Sequence, residues 1–219
     1  MIVDSMTHEE VYAELERDRD TLTRWWQHQK DTLRRRLLKA RKFPVSLWYE
    51  YTSPRKNHYT LYTRIFDKRG KAMLTGICAM RHTQEGLTGY TTWIEGQKLI
   101  SPMVLTPHMW KRYAERCGVE KSGAELIRHY FTHNSYGQDT RNQQIVGRSV
   151  RYNGEQHMCC CVNDGVLLGQ EQGRLFVART FITYDMCSGL QGQEFEECRK
   201  QILTDNLLYE HARQYYLNR

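Results

Sequence analysis

Hydrophobic and polar positions recur along this chain with two different periods, and the switch from one to the other marks its elements. Through the N-terminal stretch the apolar positions Val11, Leu15, Leu22, Trp26, Leu33 and Leu37 follow one another at steps of 4 and 7. That is an 11-residue period, which keeps one stripe on one face of a nearly straight α-helix. Thr7 followed by Glu10 supplies the capping-box spacing at its start, and Pro44 pushes the residue before it out of the helical region at its end. About 35 residues at 1.5 Å each make a rod of roughly 50 Å. Such a rod is longer than a domain of this size, so it is expected to bend, to break near Glu16 to Asp20, or to pack against a partner chain.

From Val45 onward the pattern changes to short runs rich in Tyr, Thr, Trp and Ile. Strands are predicted over 45–52, 58–66, 71–82, 88–95 and 97–104, with turns at Ser53-Pro54, Asp67 to Gly70, Glu85-Gly86 and Glu95-Gly96. Their close spacing predicts antiparallel hairpins, because parallel neighbours need longer crossovers. Thr106 before Pro107 is an N-cap residue followed by proline at the first helical position, and the helix it opens runs to Gly118. A second helix over 122–133 follows Ser122, and the polar stretch from Asn134 to Asn142 reads as a loop. Further strands are predicted at 145–152, 156–162, 165–170 and 174–184, joined by Asn153-Gly154, Asp164-Gly165 and Gln172-Gly173. Residues 191–217 close the chain as helix.

The predicted fold class is therefore α+β, in three segments. A long amphipathic helix with a basic end covers 1–43, an antiparallel strand segment covers 44–105, and 106–219 holds the helical pair, a second antiparallel strand group and the C-terminal helix. Whether the two strand groups share one sheet is not readable from the pattern.

Composition narrows the class without supplying chemistry. The chain has 219 residues, 40% of them hydrophobic and 26% charged, which excludes a collagen-like, low-complexity or wholly disordered protein. No window approaches the ~20 apolar residues of a membrane span, and MIVDSMTHEE has neither a basic start nor an apolar stretch, so no membrane association or secretion is expected. Seven Cys, three of them consecutive (Cys159, Cys160, Cys161), are a poor basis for a disulfide framework, and a reducing cytoplasm is the expected setting.

Charge changes the picture more. The net charge is +7, but residues 30–42 carry seven Lys and Arg against Asp31 alone, leaving the rest of the chain nearly neutral. At 100° per residue Arg35, Lys39 and Lys42 fall opposite Leu37, while Arg34 and Arg41 flank the apolar stripe. Two readings stand side by side: a solvated face whose cations suit the negative end of the helix dipole, and a phosphate-binding edge for nucleic acid.

Three places could carry chemistry. In LTPHMWKRYAERCG, His108, Arg112 and Arg116 sit at i, i+4 and i+8, within about 80° of one another on a helix. An imidazole that titrates near neutral pH and guanidinium groups that hold phosphate suit RNA cleavage by attack of the 2′-hydroxyl without a metal; a polar outer helix face is the plain alternative. In HYFTH, His129 and His133 have the spacing of two zinc ligands, but Tyr130 stands where a metalloprotease needs Glu, and two ordinary histidines are the expectation. In HMCCCVNDG, a strand puts His157, Cys159 and Cys161 on one face and Met158 and Cys160 on the other, a pattern read as core packing. Neither a metal nor a cofactor is called for.

The helix with H-x-x-x-R-x-x-x-R, followed by a second short helix and antiparallel strands that end in RLFVARTFIT, resembles the metal-independent endoribonuclease toxins related to RelE and barnase. The resemblance covers residues 106–184. It implies His108 as acid or base, Arg112 and Arg116 on the phosphate, and Thr180, next to Arg179, as a supporting hydrogen-bonding residue. The large N-terminal segment has no counterpart in the small toxins.

The functional expectation is an RNA-directed protein, in its sharpest form a metal-independent endoribonuclease, with Arg34, Arg35, Lys39, Arg41 and Lys42 as nucleic-acid contacts. The alternatives are a non-catalytic nucleic-acid- or protein-binding module of a mobile-element or defence system, and a homo-oligomer built through the N-terminal helix. Exposed Trp25 and Trp26 would favour the oligomer.

Overall fold

In the computed structural model, the Thr7 hydroxyl accepts a hydrogen bond from the Glu10 amide at 3.2 Å, and the Glu10 carboxylate accepts one from the Thr7 amide at 2.8 Å. This capping box starts helix α1 (His8–Lys39). The structure describes residues 1–43, 45–65, 76–95, 98–134, 145–152 and 155–187, together with 192, 193, 195–197, 199 and 200.

All six residues of the predicted stripe are buried, none above 6% exposed. Val11, Leu15 and Leu22 pack with Tyr59, Leu61, Ile77, Tyr90, Val104 and Val177; Trp26, Leu33 and Leu37 pack with Ile65, Val45 and Leu47. The expected break near Glu16 to Asp20 does not occur, since α1 is one helix through this stretch. Within that stretch Asp18 faces the protein: it is fully buried and its Oδ2 accepts hydrogen bonds from Ser53 Oγ, Asn57 Nδ2 and Tyr59 Oη, each at 2.7 Å. Glu14, 1% exposed, accepts two hydrogen bonds from Arg55, at 2.7 and 2.8 Å. These bonds fasten the middle of α1 to the turn at Ser53–Asn57, along which the helix is continuous. Trp25 and Trp26 are taken up in the same way, against Tyr49 and Tyr51. The helix stops at Lys39, with Ala40 extended, so Arg41 and Lys42 lie beyond it rather than on the helical face expected of them.

Strands β1 (Val45–Thr52), β2 (His58–Ile65), β3 (Gly76–Thr83), β4 (Gly86–Glu95) and β5 (Lys98–Leu105) form an antiparallel meander. Helices α2 (Pro107–Arg116) and α3 (Gly123–Asn134) follow, then a second meander of β6 (Ile145–Tyr152), β7 (Glu155–Val162), β8 (Gly165–Gln172) and β9 (Leu175–Ile182). The two groups are one nine-stranded sheet in the order β1-β2-β3-β4-β5-β9-β8-β7-β6. They meet in a parallel seam, Met103 to Leu105 of β5 against Phe176 to Ala178 of β9, the exception to the expected antiparallel pairing. The chain between β5 and β9 is long enough for the crossover that parallel neighbours need.

The seam is covered on both sides. Leu175 and Val177 face α1, while Phe176 and Ala178 face Met109, Trp110 and Tyr113 of α2 and Ile127, Tyr130 and Phe131 of α3. Cys160 and Met158 belong to the α2 side, and Cys159 and Cys161 to the opposite side, where Phe195 covers them. The three cysteines are core residues, as the alternation predicted. Helical backbone recurs within 192–200; the rest of the predicted C-terminal helix, the turn at Asp67 to Gly70, the start of the strand at 71–82 and the loop after Asn134 lie outside the described residues. Among the described residues no helix is long and apolar enough to cross a membrane.

Candidate nucleic-acid interface

Leu33 and Leu37 anchor the last turns of α1, and the residues around them point outward. Arg34, Arg35, Arg36 and Lys39 are exposed on the helix, and Arg41 and Lys42 are exposed just past it. None of the six forms an ion pair among the described residues. The helix dipole accounts for only part of this, because its effect fades within the last turn. It favours Arg36 and Lys39, which sit in that turn, but not Arg34 and Arg35 before it or Arg41 and Lys42 after it. Leu38, 65% exposed, stands among these cations. The result is a cationic patch on the solvent side of a helix end whose apolar side is packed on β1 and β2.

The second predicted site lies on α2. Thr106 caps it, accepting from the Met109 amide at 3.3 Å and donating to the Ala178 carbonyl at 2.9 Å, so the start of the helix is stapled to β9. Met109, Trp110 and Tyr113 face the sheet, which leaves His108 exposed and Arg112 and Arg116 partly so. Arg112 Nε donates to His108 Nε2 at 3.4 Å, a long contact, while Arg112 Nη1 pairs with Glu115 at 2.9 Å. Arg116 is turned away from them and donates to the Phe181 carbonyl. His108 lines a groove of about 320 Å³ with Glu85, Leu87, Trp110 and Lys111, and neither arginine reaches it.

Thr180 does not join this face. Between Leu168↔Thr180 and Gly169↔Ala178 the register shifts by one, leaving Arg179 as the extra residue of a β-bulge. The shift puts Thr180 opposite Leu168, on the side of the sheet away from α2. Gly169 makes the bulge possible, since a Cβ there would run into the Val177 carbonyl. Of the four expected catalytic residues, the structure brings together His108 and Arg112.

The histidine pair on α3 is held by neighbours. The His129 and His133 rings stack at 4.0 Å, His133 Nδ1 lies 2.8 Å from the His129 carbonyl, and His129 Nδ1 lies 3.2 Å from the Tyr113 hydroxyl. That hydroxyl donates to Asp164 at 2.9 Å, and Asn134 bonds the same carboxylate, so the cluster joins α2 and α3 to the β7–β8 turn. Burial, then the neighbouring His133, lowers the His129 pKa. Among the described residues no group of three or more His, Cys, Asp or Glu is placed to hold a metal ion.

The pattern reading missed a second cleft. On the other side of the Glu85–Gly86 turn, about 510 Å³ opens between His8 of α1, Arg81 and Thr88 of the β3–β4 hairpin, and Thr106 at the start of α2. Its residues come from three separate stretches of chain. The one local sign is Arg81, a cation directly after the apolar run GICAM of β3.

No family model matches the chain, and no curated protein or solved structure does.

Proposed function

We propose that the protein is RNA-directed and holds the phosphate backbone with the basic end of α1. The observation that carries this reading is six exposed cations without carboxylate partners among the described residues: Arg34, Arg35, Arg36 and Lys39 on a helix whose apolar stripe is buried, and Arg41 and Lys42 just past its end. Cations that serve the fold are normally paired or laid along apolar surface; these are free to displace counterions from a polyanion. The test is binding of a labelled single-stranded RNA at about 100 mM salt, followed by fluorescence anisotropy. The triple variant Arg35→Ala, Lys39→Ala, Lys42→Ala should lose at least tenfold in affinity, while Lys111→Ala on α2 should leave it unchanged. Equal affinity in the triple variant and the wild type would remove α1 from the interface.

The metal-independent endoribonuclease reading has its own support. The order α2, α3, β6 to β9 is a helix pair followed by antiparallel strands, the order on which the resemblance to the RelE- and barnase-related toxins rests. What supports the reading is the contact between Arg112 and His108, a guanidinium beside an imidazole, groups that can hold phosphate and carry a proton. In this reading His108 moves the proton and Arg112 steadies the phosphate; Arg116 takes part only by exchanging the Phe181 carbonyl for phosphate. Cleavage of labelled RNA in EDTA that disappears in His108→Ala is the expected result. No cutting by either protein favours the non-catalytic binding module, and equal cutting by both removes His108 from the reaction.

A further inference from the structure

We propose that the cleft between the start of α1, the β3–β4 hairpin and the start of α2 is a binding site for a phosphoryl group, with Arg81 as its cation and Thr88 and His8 as its hydrogen-bonding side chains. The proposal does not rest on the RNA reading, because the basic end of α1 takes no part in it.

The argument begins with strand register. Arg81 and Thr88 are directly opposite each other on β3 and β4, so both side chains lie on the face that α1 covers. Ala79 and Tyr90, the next such pair, sit in the core beneath them. Arg81 Nη1 donates to the Met6 carbonyl at 2.5 Å, and the guanidinium lies over the Tyr90 ring at 5.4 Å from its centre. No carboxylate pairs with this cation among the described residues. Its Nε is buried without a hydrogen-bond partner, which is costly for a charged donor and asks for an explanation. Nη2 likewise has no bond to a described residue, so the Nε–Nη2 edge, the fork that takes two oxygens of one anion, is the part of Arg81 left over. A ligand oxygen reaches Nε through a small shift of the side chain.

Thr88 supplies the second observation. It is 4% exposed and lines the cleft, and its hydroxyl has no hydrogen-bond partner among the described residues. His8 is the third: its Nδ1 lies 2.9 Å from the Tyr90 hydroxyl, which leaves Nε2 for a ligand. Burial, then the charge of Arg81, lowers the His8 pKa, so the imidazole is neutral at pH 7 in this setting. A bound anion would offset both causes. The carboxylates facing the cleft are Asp4 and Glu85, both exposed on the rim, where solvent screens them. Phosphate oxygens accept the hydrogen bonds these donors have to offer, and the cleft is large enough for the phosphate to carry a further body.

The experiment follows the His8 ring resonances of the full-length protein by NMR across pH, in inorganic phosphate and in chloride at equal ionic strength. The expected result is a rise of the His8 pKa by about 1 in phosphate, the size an opposite charge beside an imidazole produces. Arg81→Lys, which keeps the charge but loses the fork, should weaken phosphate binding at least tenfold, and Thr88→Val severalfold. Adenosine 5′-monophosphate set against adenosine separates the sources. Binding of the nucleotide more than tenfold tighter than phosphate, with none of adenosine, assigns the site to a phosphomonoester; equal binding assigns it to free phosphate. A His8 pKa that phosphate leaves unmoved, or an affinity unchanged in both variants, would overturn the proposal. The α1 triple variant should bind phosphate here as the wild type does, so failure of either proposal is told apart from failure of the other.

Discussion

Two buried carboxylates on α1 show how single residues decide what a long helix does. Asp18 gathers three donors from the Ser53–Asn57 turn and from β2, and removing its carboxylate leaves them buried without an acceptor. Asp18→Ala should therefore cost about 3 kcal/mol, measured by urea unfolding. Glu14 adds a pH dependence. Its hydrogen bonds from Arg55 hold its carboxyl well below the usual carboxylate range, so the stabilisation is complete above the unfolded value of 4.5 and is lost as pH falls toward the lower folded one. His8 and His129 act in the same direction at higher pH. Both are lowered from 6.5 by burial, so folding favours their neutral forms and stability declines as pH drops below that value. Unfolding midpoints should fall in two stages on acidification, the first between about pH 6.5 and 5. His8→Gln should shrink the first stage and Glu14→Gln the second; midpoints flat down to about pH 5 in the wild type would contradict the histidine assignment.

At the scale of elements, the local signals and the long-range ones part company. The capping box at Thr7, the stripe from Val11 to Leu37 and the Asp164-Gly165 turn were legible because each is written in neighbouring residues. The parallel seam was not, because pairing of Met103 to Leu105 with Phe176 to Ala178 depends on residues far apart in the chain. The continuous apolar runs PMVL and LFVA fit strands buried on both faces, but such runs do not name their partners. The candidate site divides in the same way. The cations at the end of α1 stand together in sequence and in space, whereas the face of Thr180 turns on a one-residue bulge that a period of two cannot reveal. Arg116 is taken up by the Phe181 carbonyl where α2 packs on β9, and His8 meets Arg81 only through the fold. The α1 stripe offers a direct check of packing. Leu33→Ala should cost about 2–5 kcal/mol, while Leu38→Ala, near the end of the same helix but exposed, should stay within about 0.5 kcal/mol.

The whole molecule is a sheet covered on both sides, with a cluster of cations at the end of α1. Its seam, where α1, α2 and the two meanders meet, packs on the start of α1 at Val11 and Leu15, and the basic end begins at Arg34, roughly 30 Å further along the helix. That separation makes the central claim testable without disturbing the core. The measurement is the salt dependence of RNA affinity, for wild type and for Arg35→Ala, Lys39→Ala, Lys42→Ala, over about 50–300 mM KCl. Each cation withdrawn from a phosphate takes about 0.7 off the slope of log affinity against log salt on a single strand, so the variant's slope should be shallower by about 2. A variant slope equal to that of the wild type would contradict the account, because the three cations would then touch no phosphate.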